Sequence, residues 1–345
     1  MAVEACELTI GSETDAIAPV LAQVEFAESI DELDALTVWL DIPTGYPDRT
    51  KLAKAIKVGE TFELKFADRT VEGDIVRIRW KYLAGGAGTW IIEGLEPLHR
   101  IRGLQLSELS ELKLDKIVET FMKKGPKSVA VTAVKATAKE LVVLDDSALK
   151  HIKRIASERN WAFYTDNKGK VNFGPRNTKG AAVSLYFSDL DVAEVTADLL
   201  GMPNTVEARG YDYRKDDSAN ADLKFLADKT KLESITGDDT GVSLRPSTWG
   251  TLAVALEHRF SAIDLKELEE RAIGTLQRAA EQFVTGEVVT ELTAGAMPTT
   301  EVTIDGAPWP FMGPYRVRAA RHTFGPGSGS ETRIEFFSDS LPALK

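Results

Sequence analysis

Short runs of alternating apolar and polar residues fill much of the first hundred positions of the chain. Residues 61–66 and 73–80 alternate strictly, and residues 36–42 follow the same period of two. Glycines and prolines at 43–47 and 85–88 separate these runs. A period of two is typical of strands with one buried face, so closely spaced runs of this kind predict an antiparallel barrel or sandwich.

The periodicity changes after the first hundred residues. Apolar residues recur every three or four positions over 114–121 and again over 146–160, and this spacing predicts two amphipathic helices. Two aromatic runs, at 161–164 and 170–173, follow the second helix and flank a short loop, which predicts a β-hairpin. We therefore expect a small α+β insert within residues 104–180.

Strand-like runs return in the second half of the chain, at 183–187, 206–213, 288–292, 301–304, 315–324 and 332–337. Residues 214–248 are polar with few large apolar side chains, and we interpret them as a long loop. Apolar residues that step by three or four predict a helix over 264–284. Asp264 and Glu267 form a candidate capping box, and Gly286 is the candidate stop. The whole pattern predicts an α+β protein that is mainly β.

Composition narrows the possible classes of protein. The 345 residues include 42 basic and 53 acidic side chains, a formal net charge of −11. This balance disfavours general nucleic-acid binders and anionic-membrane binders, since both depend on excess lysine and arginine. Cys6 is the single cysteine, which excludes an intrachain disulfide and any metal site built on cysteine pairs. No apolar run approaches the roughly 20 residues that cross a bilayer, and no signal peptide is recognisable. We expect a soluble protein made in the cytoplasm.

The chain contains four histidines, His99, His151, His258 and His322. No two of them have a metal-binding spacing, so we expect core histidines with satisfied hydrogen bonds or surface histidines. Three pairs of adjacent acids are conceivable glycosidase carboxylates: Asp145–Asp146, Asp216–Asp217 and Asp238–Asp239. Catalytic carboxylates stand about 5–10 Å apart across a cleft, whereas adjacent side chains point in different directions. These acids are therefore interpreted as caps and solvated loop residues.

Other chemical motifs are equally weak. The glycine-rich loops at 85–88 and 325–329 are not followed by a helix start or by Lys-Ser/Thr, so we interpret them as hairpin tips. The candidate nucleophiles lack the sequence context of acyl-transfer enzymes; they are Cys6, Ser184, Ser188 and Ser218. Five tryptophans are better explained as barrel core than as a sugar site: Trp80, Trp90, Trp161, Trp249 and Trp309. We therefore predict no enzyme, no catalytic residue, no cofactor and no metal.

Several local patterns occur in an order that resembles a known family. The run 66–78 (FADRTVEGDIVRI) with 94–101 (GLEPLHRI) is similar to the end of a first barrel in that family. The helix 112–121 (LKLDKIVETF) and the helix with hairpin over 146–175 resemble its insert. The closing runs GEVV, GPYRV, ARHTF and ETRIEF lie between residues 286 and 336. Together these runs resemble the late control protein D family of phages and the hub region of VgrG spikes, which are baseplate hubs of contractile tails.

The resemblance implies a structural hub without enzymatic activity. Hubs of this family form trimeric rings, in which two tube-like barrels per chain match the sixfold tail tube on one face and carry the threefold spike on the other. The expected partners are two further copies, a tail tube protein, a spike protein and other baseplate subunits, with DNA or an effector only as cargo in transit. No OB-fold or needle pattern follows the last strand, so we expect a separate spike polypeptide. The expected location is the virion tail or injection-particle baseplate.

On this basis we expect a first barrel at residues 1–103 and an α+β insert at 104–180. A second barrel is expected from residues 181–230 together with 285–345. Residues 231–284 are expected to form a loop and a long helix that packs on the outside. Three copies would carry a net charge of 3 × (−11) = −33. One hypothesis is that part of this charge lines the channel and keeps acidic cargo from sticking. Ordinary surface solubility is the alternative.

Two other functions stay open at this point. Aromatic strands and acidic loops are also compatible with a carbohydrate-active enzyme or binding module, which requires a cleft with two facing carboxylates. A tail-tip protein of a non-contractile phage would share the hub fold and differ in its neighbours.

Overall fold

A computed structural model describes most of the chain, and the described residues are 5–82, 88–104, 111–122, 139–141, 147–166, 171–176, 182–200, 202–212, 222–232, 240–242, 255–260, 264–308, 311–325 and 329–341. Strands predominate among them, as the alternating pattern predicts. The predicted loop tips at 85–87 and 326–328 lie outside these residues.

The first part of the chain folds into six strands and one short helix: β1 (Cys6–Ile10), β2 (Leu21–Ser29), β3 (Ala35–Ile42), α1 (Arg49–Ala55), β4 (Thr61–Phe66), β5 (Arg69–Tyr82) and β6 (Gly88–Leu95). The alternation is borne out in β4, where Phe62, Leu64 and Phe66 are buried and the residues between them are more exposed. The sequence pattern did not predict β1 or α1.

The insert contains the two predicted helices and the predicted hairpin. Its elements are β7 (Glu111–Lys113), α2 (Leu114–Met122), β8 (Lys139–Leu141), α3 (Ala148–Arg159), β9 (Trp161–Thr165) and β10 (Val171–Pro175). Ser147 caps α3 by accepting a hydrogen bond from the amide of Lys150, and Asn160 ends it in the left-handed conformation (φ 54°). Strands β9 and β10 pair antiparallel.

The later described residues form nine strands and one long helix: β11 (Ala182–Tyr186), β12 (Leu190–Ala197), β13 (Thr205–Tyr211), β14 (Asp222–Asp228), β15 (Ala255–Phe260), α4 (Leu265–Ala280), β16 (Val284–Glu291), β17 (Glu301–Asp305), β18 (Gly313–Gly325) and β19 (Gly329–Ser338).

A single sheet runs through both ends of the chain. Its strand order is β1-β4-β5-β6-β3-β2-β18-β19-β16-β12, with β17 beside β18 and β11 beside β17. The pairing of β2 with β18, from Val24–Phe324 to Ser29–Ala319, joins the N-terminal strands to the C-terminal strands. No pairing among the described strands closes either part into a barrel.

Three large apolar cores lie within the described residues. The first is formed by β1 to β6 and α1, and Phe324 of β18 reaches into it. The second is formed by β16 to β19 with the buried face of α4. The third lies between α2, α3 and the hairpin, around Phe173. Each of the two strand-rich parts of the large sheet therefore has its own core.

The predicted loop at 214–248 contains a strand. Strand β14 pairs with β13, and β13 also pairs in parallel with β15, so these three form a separate small sheet beneath α4. Leu223 and Ala227 of β14 are buried, while Leu226 between them is 56% exposed. The loop prediction was wrong here because charged residues surround this short alternating run. The rest of the predicted loop lies mostly outside the described residues.

Helix α4 begins where the sequence predicts and ends earlier. The Asp264 side chain accepts a hydrogen bond from the Glu267 amide at 2.8 Å, so the predicted N-cap is confirmed. The predicted stop at Gly286 is wrong, because the helix ends at Ala280 and Gly286 lies inside β16. A Cβ atom at Gly286 would lie 2.5 Å from the Glu194 carbonyl oxygen, so the close approach of β12 explains this glycine.

A second close approach joins α4 to α3 and makes a testable prediction. A Cβ atom at Gly274 would lie 2.4 Å from the carbonyl carbon of Arg159, which is backbone and cannot rotate away. We expect Gly274→Ala to lower the free energy of unfolding by about 1–3 kcal/mol, because overpacking outweighs the better helix propensity of alanine. Urea denaturation followed by circular dichroism measures this change.

The matched control is Gly103→Ala, since no heavy atom lies within 4 Å of a Cβ atom built at that position. We expect this variant to stay within about 0.5 kcal/mol of the wild type. A Gly274→Ala protein that is as stable as the wild type would show that α3 and α4 are not in tight backbone contact.

Candidate functional site

The three histidines whose side chains are described lie in separate places. The side chains of His151 and His322 are fully buried, and the half-buried His99 places Nδ1 2.8 Å from the carbonyl oxygen of Glu96. The side chain of His258 lies outside the described residues. Within the described part of the chain, no group of three or more histidine, cysteine, aspartate or glutamate residues is arranged to hold a metal ion.

The structure describes only some of the other sequence candidates. The acid pairs at 145–146, 216–217 and 238–239, together with Ser218, Trp249 and Trp309, lie outside the described residues. Ser184 and Ser188 are exposed. Burial raises the pKa of Cys6 to about 12, so its thiol is a poor nucleophile at neutral pH. Trp80 was predicted to lie in a core and is 59% exposed instead, near the C-terminal end of β5, where that strand pairs with β6.

One open cavity of about 390 Å³ contains two carboxylates, Glu63 and Glu72. They lie directly opposite each other on the paired strands β4 and β5, so both side chains stand on the same sheet face. Glu63 also forms an ion pair with Lys65 at 2.6 Å. This arrangement is a row along one wall and lacks the facing carboxylates that glycoside hydrolysis requires.

The most distinctive polar cluster is buried where β2 meets β18, and we call it the junction cluster (Glu28, Arg69, His322 and Thr332). The Arg69 guanidinium forms two parallel hydrogen bonds with the Glu28 carboxylate, at 2.8 and 2.7 Å. It also donates to the carbonyl oxygen of Ala294 at 3.1 Å. All four side chains belong to residues that are at most 5% exposed. The cluster therefore joins β2, β5, β18, β19 and the segment after β16.

Hydrogen bonds connect His322 to Glu28 and to Thr332 within the junction cluster. His322 Nε2 lies 3.1 Å from a Glu28 oxygen and Nδ1 lies 3.0 Å from the Thr332 hydroxyl. A neutral ring satisfies both if Nε2 donates to the carboxylate and Nδ1 accepts from the hydroxyl. Burial alone would raise the pKa of Glu28, but the Arg69 charge and the His322 hydrogen bond hold it below its ordinary value. The cluster thus contains an ionised pair in a dry site.

Two further buried carboxyls, Asp34 and Glu96, lie close to this cluster. The Asp34 amide donates to Glu96 Oε1 at 3.2 Å, and the Thr165 hydroxyl donates to Glu96 Oε2. Burial raises the pKa of Glu96 from 4.5 to about 7. Burial and the charges of Glu96 and Glu28 also raise the pKa of Asp34 well above its usual range. These groups join the first strands to hairpin strand β9 of the insert.

Charged side chains also fill the contact between α3 and α4. Glu267 accepts from Arg271 at 2.5 Å and from Arg159 at 3.2 Å, and all three residues are buried. Nearby, Arg176 pairs with Glu281 at 3.1 Å and with Asp31 at 2.8 Å. The insert is therefore linked through ion pairs to both the helix α4 and the segment after β2.

Exposed apolar side chains mark two surfaces. The first surface lies near the C-terminal end of β5, where Trp80 and Tyr82 are 59% and 58% exposed. Their ring centroids are 5.6 Å apart. The second surface is the chain segment 182–200, which we call the edge ribbon. It spans β11 and β12. Two of its side chains, Tyr186 and Leu200, are 60% and 78% exposed. Clustered exposed apolar groups of this kind are typical of protein interfaces.

The sequence analysis missed the junction cluster, although two of the runs that carry the family resemblance contain it. Arg69 lies in the run 66–78 and His322 in the run 320–324. An arginine inside an alternating strand was a usable signal, but its partner Glu28 lies 41 residues earlier in the chain. These clusters hold segments of the chain together, and Arg159 and Arg176 also line an open cavity of about 300 Å³ beside α4.

No helix in the described part of the chain has the length and apolar character needed to cross a bilayer. The chain matches no protein-family model and no curated protein sequence.

Solved structures match the chain over nearly its full length. The tail protein from Neisseria meningitidis MC58 is 12% identical with a TM-score of 0.70, covering 97% of this chain and 96% of that chain. The 43 kDa tail protein of prophage MuSo2 from Shewanella oneidensis is 11% identical with a TM-score of 0.72, covering 96% and 98% respectively.

An E. coli component of the type VI secretion system, itself described as similar to the T4 tail proteins gp27 and gp5, is 11% identical with a TM-score of 0.56. The matched region covers 94% of this chain and 76% of the E. coli protein. At these identities the likeness concerns the fold. The chain shares the fold of phage tail and type VI secretion proteins, as the sequence resemblance predicted.

Proposed function

We propose that this protein is the structural hub of a phage tail or contractile injection-system baseplate. Three copies form a ring that joins a sixfold tail tube to a threefold spike and lets cargo pass. The observation that carries the proposal is the fold match over 96–97% of the chain with two tail proteins. The function is mechanical, and no enzymatic step is assigned to it.

The internal organisation supports this proposal. Two strand-rich parts of one sheet each have a separate core, which is what two tube-like units in one chain require. Three copies with two such units each would present six to a tail tube and three chain ends to a spike. We propose these parts as the two barrels, with the insert between them in the sequence.

Buried ion pairs suit a mechanical role. The junction cluster and the α3–α4 cluster tie separate segments together, and a buried pair with fixed hydrogen bonds has a large cost when one partner is displaced. The proposed partners are two copies of the same chain, a tail tube protein, a spike protein and other baseplate subunits, and the proposed location is the tail or baseplate of the particle.

The decisive experiment is the mass and shape of the full-length chain in solution. Light scattering is expected to give about 113 kDa, three times the 37.7 kDa of one chain, and electron microscopy a threefold ring. A protein that stays at 37.7 kDa at every concentration, alone and mixed with candidate tail tube and spike proteins, would contradict the proposal.

The channel hypothesis follows from the same particle. A reconstruction of the ring shows which side chains line its channel, and an acidic wall is expected if the net charge of −11 per chain has a role in cargo passage. A neutral or basic wall would assign that charge to the outer surface.

The same particle also distinguishes a baseplate hub from a tail-tip protein of a non-contractile phage, because only the hub is found with a contractile sheath.

A further inference from the structure

The edge ribbon (residues 182–200) is the largest continuous exposed segment among the described residues. Leu185 is buried, and Val183, Leu190, Val195 and Leu199 are half-buried against the second core. The remaining large apolar side chains face outward: Leu200, Tyr186, Val192 and Phe187 are 78%, 60%, 48% and 42% exposed. Strand β12 in this segment lies at an end of the large sheet and pairs, among the described strands, only with β16. Its outer edge therefore presents backbone donors and acceptors beside apolar side chains.

An uncovered edge of this kind is unusual in a protein that remains a monomer. Natural proteins protect long apolar edge strands with charged residues, bulges or a covering element, because open edges recruit other chains. Along the edge ribbon, no described element covers β12 on its outer side. A partner on this edge is thus the simplest physical reason for its composition.

The charges of the edge ribbon specify what kind of partner fits. It contains four acids and no lysine or arginine; the acids are Asp189, Asp191, Glu194 and Asp198. All four are exposed. The complementary surface must therefore combine positive charge with some apolar area.

This chain carries such a surface on its first β-rich part. Residues 49–57, which contain α1, include four bases and no acid; the bases are Arg49, Lys51, Lys54 and Lys57. Asp48, directly before the helix, pairs with Lys51 at 3.0 Å, so the surface keeps a net positive charge with one base partly neutralised. These bases are exposed, and Val58 beside them is 65% exposed. Leu52 on the opposite face of α1 is fully buried in the first core, which fixes the helix in place. We call residues 49–58 the basic helix surface.

Both surfaces are exposed within the same copy, so they do not cover each other there. A contact between them requires two copies. A contact between two different surfaces can repeat head-to-tail, and a head-to-tail contact generates a ring when the rotation closes. The same two surfaces could also pair reciprocally in a twofold dimer, so the mass of the assembly, three copies against two, separates a ring from a dimer.

We propose that the edge ribbon of one copy docks on the basic helix surface of the next copy and forms the contact that closes the ring. This inference rests on the proposed ring and adds which surfaces build it. The apolar side chains Tyr186, Phe187 and Val192 supply the buried area, and the charge pairs fix the direction and speed of docking.

Charge reversal tests this contact directly. Asp191→Lys with Glu194→Lys on the edge ribbon is expected to convert the assembly to monomers, and Lys51→Glu with Lys54→Glu on the basic helix surface is expected to do the same. Combining all four substitutions is expected to restore the wild-type mass, because the two surfaces are complementary again with the signs exchanged. Light scattering measures the mass, and circular dichroism confirms that each variant is folded.

The matched control reverses two other exposed acids, with Glu32→Lys and Glu291→Lys, and is expected to assemble like the wild type. If the wild type assembles and both reversed surfaces leave its mass unchanged, this contact is overturned while the proposed hub function stands. If the reversed variants are monomers and the combined variant is also a monomer, the pairing of these two surfaces is overturned. A wild type that never assembles overturns the hub proposal itself.

Discussion

Replacing Arg69 with methionine is expected to lower the free energy of unfolding by about 3–5 kcal/mol. The side chains of Arg69 and Glu28 are 4% and 2% exposed, so the substitution leaves a carboxylate in a dry site without its counter-charge. It also removes the donor to Ala294 and the guanidinium that stands 5.0 Å above the Phe66 ring. Urea denaturation followed by tryptophan fluorescence gives the change.

Arg77→Met is the matched control, because Arg77 lies on the same strand and pairs with Glu93 at 3.0 Å while its side chain is 65% exposed. An exposed ion pair contributes about 0–1 kcal/mol to the free energy of unfolding. The free energy of unfolding of this variant is therefore expected to remain near that of the wild type. The double variant Arg69→Met with Glu28→Gln is expected to recover much of the loss, since no unpaired charge remains buried. A loss below about 1 kcal/mol for Arg69→Met alone would contradict the account of the junction cluster.

The second large effect is a dependence of stability on pH through Glu96. Burial raises its folded-state pKa from 4.5 to about 7, so the folded protein holds a proton that the unfolded chain releases between these values. The stabilisation is fully present below about pH 4.5 and is lost as the pH rises through about 7. A shift of this size corresponds to about 3 kcal/mol.

Glu96→Gln is expected to abolish this contribution, because the neutral amide mimics the protonated acid beside Asp34 and Thr165. The variant is therefore expected to gain stability relative to the wild type as the pH rises from 5 toward 8, by up to about 3 kcal/mol. Lys153 and Glu28 also face this site, and their charges act on it in opposite directions. Urea denaturation at a series of pH values measures the difference.

Glu7→Gln serves as the control, since Glu7 is an exposed carboxyl on β1. We expect its difference from the wild type to be the same at each pH. If the difference between Glu96→Gln and the wild type is also independent of pH, Glu96 is ionised in the folded protein and the buried-proton argument is wrong.

Local pattern predicted the elements in which one face is buried and the other is exposed. The strand β4 and the helix α4 belong to this class, and so does α3. Strand β12 was missed because only Leu190 and Val195 of its side chains pack partly against the second core and the others are exposed, so it shows no inside-outside alternation. Gly286 was misread as a helix stop because a local signal cannot reveal that β12 passes close to its Cα atom.

The polar clusters depend on contacts that no local pattern contains. Glu28 and His322 are 294 residues apart in sequence, yet their side chains share a hydrogen bond. The family resemblance found the correct fold because it used the order of several runs along the chain, including the two that hold Arg69 and His322. It did not identify what those residues do, which required their burial and partners.

The pairing of β2 with β18 has a consequence for how the chain is made. Ser29 and Ala319 face each other across this pair, so about 290 residues must be translated before β2 acquires its second neighbour. At about 5–20 residues per second, one side of β2 waits roughly 15–60 s on the ribosome. During that time the unpaired side of β2 exposes backbone donors and acceptors that can pair with other chains.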